Sequence, residues 1–285
     1  MKGIILAGGT GTRLNPITIS FSKQLLPVYD KPLIYYPLST LLNLKITEIL
    51  IIVNPDQILN FKKLLGDGSM FGIKLKYIIQ KKPNGIAESF VIGRNFIKDS
   101  PVALILGDNI FYGQDFYKDI KLLDINNSAT IFLYKVNNPS QYGVANLKNN
   151  KIKSIIEKPK KTTSNLAVTG LYLFDKNVIK NVNKLKPSKR GELEITDLNN
   201  IYLKNKNLNY IQLNDSSVWF DAGTPISLLY ASQYIQAVQT RNNILISSPE
   251  EISLKNKLIK KSKFKKNLIS QPSNEYFNFL RNLIK

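Results

Sequence analysis

The chain has 285 residues, of which 43% are hydrophobic and 21% charged, and its formal net charge is +20. It contains neither cysteine nor histidine, which excludes disulfides, cysteine nucleophiles, Ser-His-Asp triads, histidine general bases and zinc held by thiolate or imidazole. Any metal must therefore bind to oxygen ligands, which favours Mg²⁺, Mn²⁺ or Ca²⁺.

The positive charge fits three explanations: nucleic-acid binding, binding of small anionic substrates, or compositional drift towards lysine, isoleucine and asparagine. The lysines are widely spread, with one concentration at residues 255–266 (KNKLIKKSKFKK). A run of this kind is most often a solvated helix face, and we expect no nucleic-acid partner.

No apolar segment approaches the ~20 residues of a membrane span. The apolar run near the N-terminus is short and leads into a glycine loop instead of a signal cleavage site. We therefore expect a cytoplasmic protein with no membrane insertion.

In the first part of the chain, short apolar runs alternate with longer amphipathic stretches. Strands are predicted at Gly3–Ala7, Glu48–Val53, Lys74–Ile79 and Val102–Leu106. Helices are predicted at Lys31–Leu44, Gln57–Leu65 and Ala87–Ile97. This alternation predicts βαβ units and a mainly parallel sheet, whose ligands lie beyond the carboxyl ends of the strands.

The middle of the chain is rich in strands and predicts an antiparallel extension of the α/β core. Its strand-like runs are Ala129–Val136, Gly143–Leu147, Ile152–Ile156 and Val168–Phe174. After them we predict a helix at Gly191–Leu203, strands at Tyr210–Leu213 and Val218–Phe220, and a helix at Pro225–Thr240 capped by Thr224. The simplest division is one continuous domain, 1–241, and a basic, helical C-terminal appendage, 242–285.

A glycine loop follows the first predicted strand, in the run LAGGTGTRL at residues 6–14. Glycines let backbone N–H groups approach a phosphate closely. The loop is not a Walker A motif, and Leu14 occupies the third glycine position of the dinucleotide fingerprint. Arg13 and Lys23 flank the loop, and this pair of cations suits a triphosphate.

Two aspartates follow predicted strands at positions where ligand-facing residues belong. Asp108 closes Val102–Leu106 and Asp221 follows Val218–Phe220. A lone aspartate in either place is more often a cap or turn residue. In a chain without histidine or cysteine, the two are natural ligands for a hard cation such as Mg²⁺ in nucleotide chemistry.

The run GTGTRL at 9–14, followed by KQLLP at 23–27, resembles the sugar-phosphate nucleotidyltransferases. The similarity extends from Met1 to about Glu251 and includes the stretches YDKPLIYYPLSTL at 29–41, LGDGS at 65–69, LGDNIFYG at 106–113 and RGELEITD at 190–197. The resemblance implies a Rossmann-like, mainly parallel mixed sheet flanked by helices, with an antiparallel, strand-rich sugar-binding extension. The nucleotide-binding part would span about 1–128 and the sugar-phosphate-binding part about 129–241.

The resemblance also implies a role for particular positions. Those expected at the nucleotide are Leu6, Gly8, Gly9, Gly11, Thr12, Arg13, Lys23, Gln24, Gln80, Pro83, Gly85 and Asp108. Those expected at the sugar phosphate are Asn109, Tyr142, Gly143, Glu157, Lys158, Val168 and Arg190. The catalytic residues would be Arg13, Lys23, Asp108, Lys158 and Asp221, and Mg²⁺ would be held by Asp108 and Asp221.

Two glutamines and one motif bear on the identity of the base. Gln24 and Gln80 carry paired donors and acceptors that can match a pyrimidine edge. Related uridylyltransferases tend to have KEMLP where this chain has KQLLP, which favours dTTP over UTP. The implied reaction joins dTTP and glucose 1-phosphate to give dTDP-glucose and pyrophosphate, a first step towards dTDP-rhamnose or a related deoxysugar.

Two further hypotheses remain at this stage: a UTP-using sugar-1-phosphate uridylyltransferase, and a non-catalytic relative that binds a sugar nucleotide. A sensor would be expected to have lost a charged motif residue, whereas this chain keeps all five expected catalytic residues. By resemblance the protein would be a homotetramer with feedback inhibition by a dTDP-sugar.

Overall fold

The computed structural model of the chain describes residues 1–113, 116–121 and 127–285. Within these ranges the strands are β1 (Lys2–Ala7), β2 (Pro27–Val28), β3 (Lys31–Pro32), β4 (Glu48–Val53), β5 (Lys74–Ile79), β6 (Val102–Leu106), β7 (Asn109–Tyr112), β8 (Ala129–Lys135), β9 (Gly143–Lys148), β10 (Lys151–Glu157), β11 (Leu166–Phe174), β12 (Leu208–Gln212) and β13 (Val218–Asp221). The helices are α1 (Tyr35–Asn43), α2 (Ile58–Leu65), α3 (Glu88–Ile92), α4 (Arg94–Ile97), α5 (Phe116–Lys121), α6 (Val178–Val182), α7 (Ile195–Lys204), α8 (Pro225–Asn242), α9 (Pro249–Lys255), α10 (Lys261–Ile269) and α11 (Glu275–Asn282).

A mixed sheet forms the centre of the fold. Its main strand order is β10-β9-β11-β6-β1-β4-β5, and β8 pairs with β11 and β12. The pairs among β6, β1, β4 and β5 are parallel, whereas β11 is antiparallel to β6, β8 and β9. This arrangement confirms the predicted α/β class, with its mainly parallel core and its antiparallel extension.

The apolar strands supply both faces of this sheet. Successive side chains of a strand point to opposite faces, and Ile4 and Ile5 of β1 accordingly enter two different hydrophobic clusters. One cluster lies under α1, α2 and the C-terminal helices, and the other lies under α3, α4, α6 and α7. Coverage of both faces explains why the central strands read as continuous apolar runs instead of alternating ones.

Three predicted helices differ from the structure by more than two residues or are divided. The first begins at Tyr35 instead of Lys31, since Lys31 lies in β3. The predicted helix over 87–97 is divided at Gly93, where a Cβ would lie 3.2 Å from the side chains of Ile4 and Leu50. The helix predicted from Gly191 begins only at Ile195.

The C-terminal region packs against the α/β core. Phe264 and Leu268 of α10 and Leu280 of α11 are buried in the same cluster as Phe61 and Phe71. The lysines of α10 are exposed on its other side, as expected for a solvated helix face.

Buried contacts of Lys31 join the β2–β3 hairpin to α8 and α11. Lys31 Nζ donates to Gln239 Oε1 over 3.0 Å and lies above the rings of Tyr36 and Tyr276. Burial lowers the pKa of Lys31, although the neighbouring Asp30 carboxylate acts in the opposite direction.

In the part of the chain that the structure describes, no helix is long and apolar enough to cross a membrane.

Candidate active site

The predicted ligand-binding loops meet at the carboxyl edge of the parallel strands. The glycine loop follows β1, Gln80 follows β5 and Asp108 follows β6. Parallel strands place the segments after their carboxyl ends at one edge of the sheet, and ligands bind there in open α/β folds. The sequence-predicted nucleotide residues are thereby brought together.

Asp221 reaches the same edge through a separate two-stranded ribbon. In the β13–β7 pair, Asp221 lies opposite Asn109. The backbone N–H of Ala222 also donates to the Asp108 carbonyl over 2.9 Å. These backbone contacts place the two carboxylates next to each other.

The two carboxylates have different electrostatic environments. Burial by itself would raise the pKa of Asp108, but the ion pair with the Lys23 ammonium and a 3.0 Å hydrogen bond from Asn109 Nδ2 hold this pKa below its usual value. Burial and the neighbouring Asp108 carboxylate raise the pKa of Asp221 to about 6, against the opposing effects of Arg13 and Lys23. At Asp221, burial and the repulsion from Asp108 therefore outweigh the effect of the local cations.

A divalent cation fits this donor set. Two buried, adjacent carboxylates are hard oxygen ligands, and Mg²⁺ is commonly held by one or two carboxylates together with phosphate oxygens. Among the described residues, no group of three or more acidic side chains is arranged to hold a metal ion. The Asp108–Asp221 pair would therefore depend on substrate phosphates and water to complete the coordination.

Arg13 lies against a glycine. Gly11 adopts a left-handed conformation with φ 67° and precedes the short helical turn Thr12–Leu14 that carries Arg13. A Cβ placed on Gly223 would overlap the Arg13 guanidinium and lie 2.9 Å from Asp221 Oδ1. The absence of a side chain at position 223 thus lets Arg13 approach the Asp221 carboxylate.

Two adjoining cavities form one groove along this edge. We call the smaller cavity, of about 330 Å³, the nucleotide-side cavity and the other the sugar-side cavity, after the ligands that the sequence predicts for their residues. The smaller one is lined by Leu6, Gly9, Thr10, Gly11, Thr12, Arg13, Lys23, Gln80, Pro83, Gly85, Ile86, Glu192 and Gly223. The larger sugar-side cavity, of about 820 Å³, includes in its lining Asp108, Asn109, Tyr142, Gly143, Glu157, Lys158, Val168, Thr196, Trp219 and Asp221. Both are lined by Thr12, Arg13, Ile86 and Glu192. The two cavities therefore adjoin at these four residues.

Three of the predicted site residues are not part of the lining of these cavities. Gly8 is buried against the Gln80 side chain. Gln24 is buried as well, and its Oε1 accepts a 2.5 Å hydrogen bond from Ser22 Oγ. Arg190 donates to both carboxylate oxygens of Glu194 over 2.9 Å. In this structure, Gly8 and Gln24 support the nucleotide side, whereas Arg190 lies outside the sugar-side lining.

Glu157 connects the sugar-side cavity to the helix that covers it. Thr196 Oγ1 donates to Glu157 Oε2 over 2.5 Å, and Arg190 lies 3.7 Å from the other carboxylate oxygen. A Cβ on Gly143 would lie 3.3 Å from Glu157 Oε2. These contacts fix the orientation of the carboxylate, which can then accept hydrogen bonds from hydroxyl groups in the cavity.

Sequence reasoning missed the part played by Trp219. Its indole N–H donates to Asn109 Oδ1 over 2.6 Å, and the same oxygen accepts from the Gly170 N–H over 3.0 Å. The Trp219 ring also packs edge-on against Tyr142, with 5.2 Å between ring centroids. The only available signal was that the chain's one tryptophan stands two residues before Asp221.

A sequence profile described as nucleotidyl transferase matches residues 2–238. The chain belongs to the nucleotidyl transferase family. This nucleotidyl transferase is 47% identical to a glucose-1-phosphate thymidylyltransferase of Neisseria meningitidis over 287 residues, with 100% of both chains covered. It is 48% identical over 254 residues to a protein of the same name from Mycolicibacterium smegmatis, with 89% of this chain and 88% of the relative covered.

Solved structures show the same fold. A crystal structure from Bacillus anthracis, provisionally named a glucose-1-phosphate thymidylyltransferase and in complex with a sucrose, matches with a TM-score of 0.77 and 43% identity. The match covers 82% of this nucleotidyl transferase and 94% of that chain. A UDP-glucose pyrophosphorylase complexed with UDP-glucose matches with a TM-score of 0.69 and 25% identity, over 83% of this chain and 98% of that one.

Proposed function

We propose that the chain transfers a thymidylyl group from dTTP to glucose 1-phosphate, giving dTDP-glucose and pyrophosphate. The observation that carries the proposal is the groove itself, since a nucleotide-side and a sugar-side cavity adjoin at Arg13, beside the Asp108–Asp221 pair. The names of the two relatives at 47% and 48% identity support the choice of substrates.

The reaction is a direct displacement at phosphorus. A phosphate oxygen of glucose 1-phosphate forms a bond to the α-phosphorus of dTTP, and the bond from that phosphorus to the bridging β-phosphate oxygen breaks. The nucleophile is already anionic near neutral pH, because a phosphate monoester has a second pKa of about 6. No general base is needed, in agreement with a groove that contains no histidine.

Catalysis then rests on positioning and on charge neutralisation. Lys158, exposed in the sugar-side lining, holds the acceptor phosphate in line. Arg13 and Lys23 neutralise the departing pyrophosphate. Asp108 and Asp221 would hold Mg²⁺, which would supply positive charge at the reacting phosphates.

The remaining assignments extend this proposal. On the sugar side, Glu157 accepts hydrogen bonds from the hydroxyl groups of glucose. The nucleotide-binding part spans about 1–128 and the sugar-phosphate-binding part about 129–241, followed by the appendage 242–285. The enzyme works in the cytoplasm as a homotetramer subject to feedback inhibition by a dTDP-sugar, and its product feeds dTDP-rhamnose or a related deoxysugar.

The test is a pyrophosphate-release assay that crosses dTTP and UTP with several sugar 1-phosphates. We expect the highest kcat/KM for dTTP with glucose 1-phosphate, and formation of dTDP-glucose. The highest value with UTP would instead support the uridylyltransferase. Absence of turnover with every pair would support a non-catalytic binding protein.

Two carboxamide variants check the assignment of the metal ligand in the same assay. Asp108→Asn removes the charge of a proposed ligand and should abolish or severely reduce turnover while the protein stays folded. Asp99→Asn makes the same chemical change at an exposed position and should behave like the wild type. Near-normal dTDP-glucose formation by Asp108→Asn would contradict the proposed role.

A further inference from the structure

Gln80 is the polar side chain that the end of β5 presents to the nucleotide-side cavity. Its backbone N–H donates to the Val53 carbonyl over 2.8 Å, and the residue is 4% exposed. A glutamine amide has a donor end and an acceptor end of nearly equal size. The two orientations of the Gln80 amide would therefore present opposite hydrogen-bonding groups to a bound base.

Glu88 removes this ambiguity. Gln80 Nε2 donates to Glu88 Oε2 over 2.8 Å. An ionised carboxylate only accepts hydrogen bonds, so the amide nitrogen of Gln80 must face Glu88. The opposite orientation would bring two acceptor oxygens together.

The Glu88 carboxylate is itself fixed by the loop that precedes it. Asn84 Nδ2 donates to Glu88 Oε1 over 2.8 Å, and the Asn84 backbone N–H donates to Oε2 over 3.3 Å. Gly85, at φ 105°, packs on the backbone of Leu193 and holds this loop in place. Glu88 is thus a rigid acceptor and not a freely rotating surface carboxylate.

The oxygen of the Gln80 amide consequently faces away from Glu88. It lies over Gly8, where a Cβ would overlap it. Within residues 1–113, 116–121 and 127–285, no protein donor forms a hydrogen bond to this oxygen. The oxygen is also not fully buried. Gln80 lines the nucleotide-side cavity together with the glycine loop, Lys23 and Glu192, so this oxygen is an acceptor that a molecule in the cavity can reach.

We infer that Glu88 is a positioning residue that selects the base by locking Gln80 with its acceptor oxygen towards the nucleotide. A base that carries a ring N–H between two carbonyl groups, as thymine and uracil do, satisfies this acceptor. Cytosine presents a ring nitrogen acceptor at the same place and would leave two acceptors facing each other, which is unfavourable.

This inference rests on the proposed function, because it names what sets base choice in that site. Its test is Glu88→Gln. The new amide can accept or donate, so Gln80 can turn either way. We expect the ratio of kcat/KM for dTTP to that for dCTP, with glucose 1-phosphate, to fall about tenfold. The change should appear mainly in KM, and kcat with saturating dTTP should stay close to wild type.

Two comparisons separate positioning from a general structural effect. In a Gln80→Ala background, Glu88→Gln should change the dTTP-to-dCTP ratio no further, since the group on which it acts is gone. Glu48→Gln, the same change at an exposed position, should leave the ratio at its wild-type value. A wild-type ratio in a folded Glu88→Gln protein, or an equal fall with and without Gln80, would overturn the inference.

Calorimetric titration with dTTP and with dCTP alone separates this inference from the proposed function. The first informative outcome has three parts: the wild type binds dTTP more tightly than dCTP, Glu88→Gln reduces that difference, and neither protein shows turnover. In that case the inference stands and the proposed function fails. If the wild type turns over dTTP and Glu88→Gln leaves the binding difference unchanged, the proposed function stands and the inference fails. Failure of the wild type to bind either nucleotide would overturn both.

Discussion

At the scale of single residues, Gly223 offers a sharp test of the active-site geometry. Gly223→Ala places a methyl group where the Arg13 guanidinium now lies. We expect kcat/KM for dTDP-glucose formation to fall on the order of 10²-fold, because a displacement of about 1 Å in a charged group can cost that much. The thermal midpoint should stay close to that of the wild type.

Whether this loss acts through Arg13 is decided by a double variant. Arg13→Ala should severely reduce turnover by itself, and adding Gly223→Ala should cause no further loss. If the two losses multiply, the methyl group harms the site by another route.

The sequence predicted that the glycine loop, Asp108 and Asp221 lie together, because glycine loops and strand-end aspartates are local patterns. The other expected site residues followed from the family resemblance. Side chains that act through distant partners could not be predicted. Glu88 stands eight residues from the Gln80 that it orients, with nothing in the spacing to single it out. Trp219 contacts an asparagine 110 positions away, and a single tryptophan before an aspartate is equally typical of a core residue.

At the scale of elements, α11 depends on a polar cap at its beginning. The Asn274 side chain accepts a hydrogen bond from the Phe277 N–H over 2.9 Å. Asn274→Ala removes this cap and should lower the free energy of unfolding by about 1 kcal/mol. Urea denaturation measures the difference, and Asn274→Asp, which keeps the acceptor, should unfold at nearly the wild-type midpoint. An alanine variant as stable as the wild type would show that the cap contributes nothing.

Strands were easier to predict than the beginnings of helices. A buried central strand is a continuous apolar run, so its bounds can be predicted from the local sequence. The β2–β3 hairpin has no such signal, because one of the two partners of the buried Lys31 is Gln239, 208 positions later; the other is the adjacent Asp30. Similarly, α7 begins late, since Glu194 is held outside the helix by Arg190 and by Ser188.

At the scale of the whole molecule, the C-terminal helices complete the hydrophobic core. A chain ending at Arg241 would lose Phe264, Leu268 and Leu280 from the hydrophobic cluster that also contains Phe71, and would expose apolar residues that pack against them. Exposed apolar surface of this extent favours aggregation. We therefore expect the truncated chain to be insoluble or to melt well below the wild type, as measured by yield of soluble protein and thermal unfolding.

The matched control alters the outer side of the same appendage in the full-length chain. Lys261, Lys263 and Lys265 are exposed, and their replacement by glutamine should leave the melting temperature unchanged. A truncated protein that melts like the wild type would show that residues 242–285 are dispensable for folding.

The packing of Leu193 on the loop before α3 has a consequence for hydrogen exchange. The Leu193 N–H donates to the Asn84 carbonyl over 2.7 Å, and the Ala87 N–H donates to the Leu193 carbonyl over 3.1 Å. Amide protons exchange with solvent when such local bonds open. A nucleotide that orders the 80–86 turn should therefore slow deuterium uptake at Leu193 as well as at Ala87, and uptake at Leu193 that ignores the nucleotide would show that the two segments open independently. Deuterium uptake at Leu193 would thus report nucleotide binding at a loop more than 100 residues earlier in the chain.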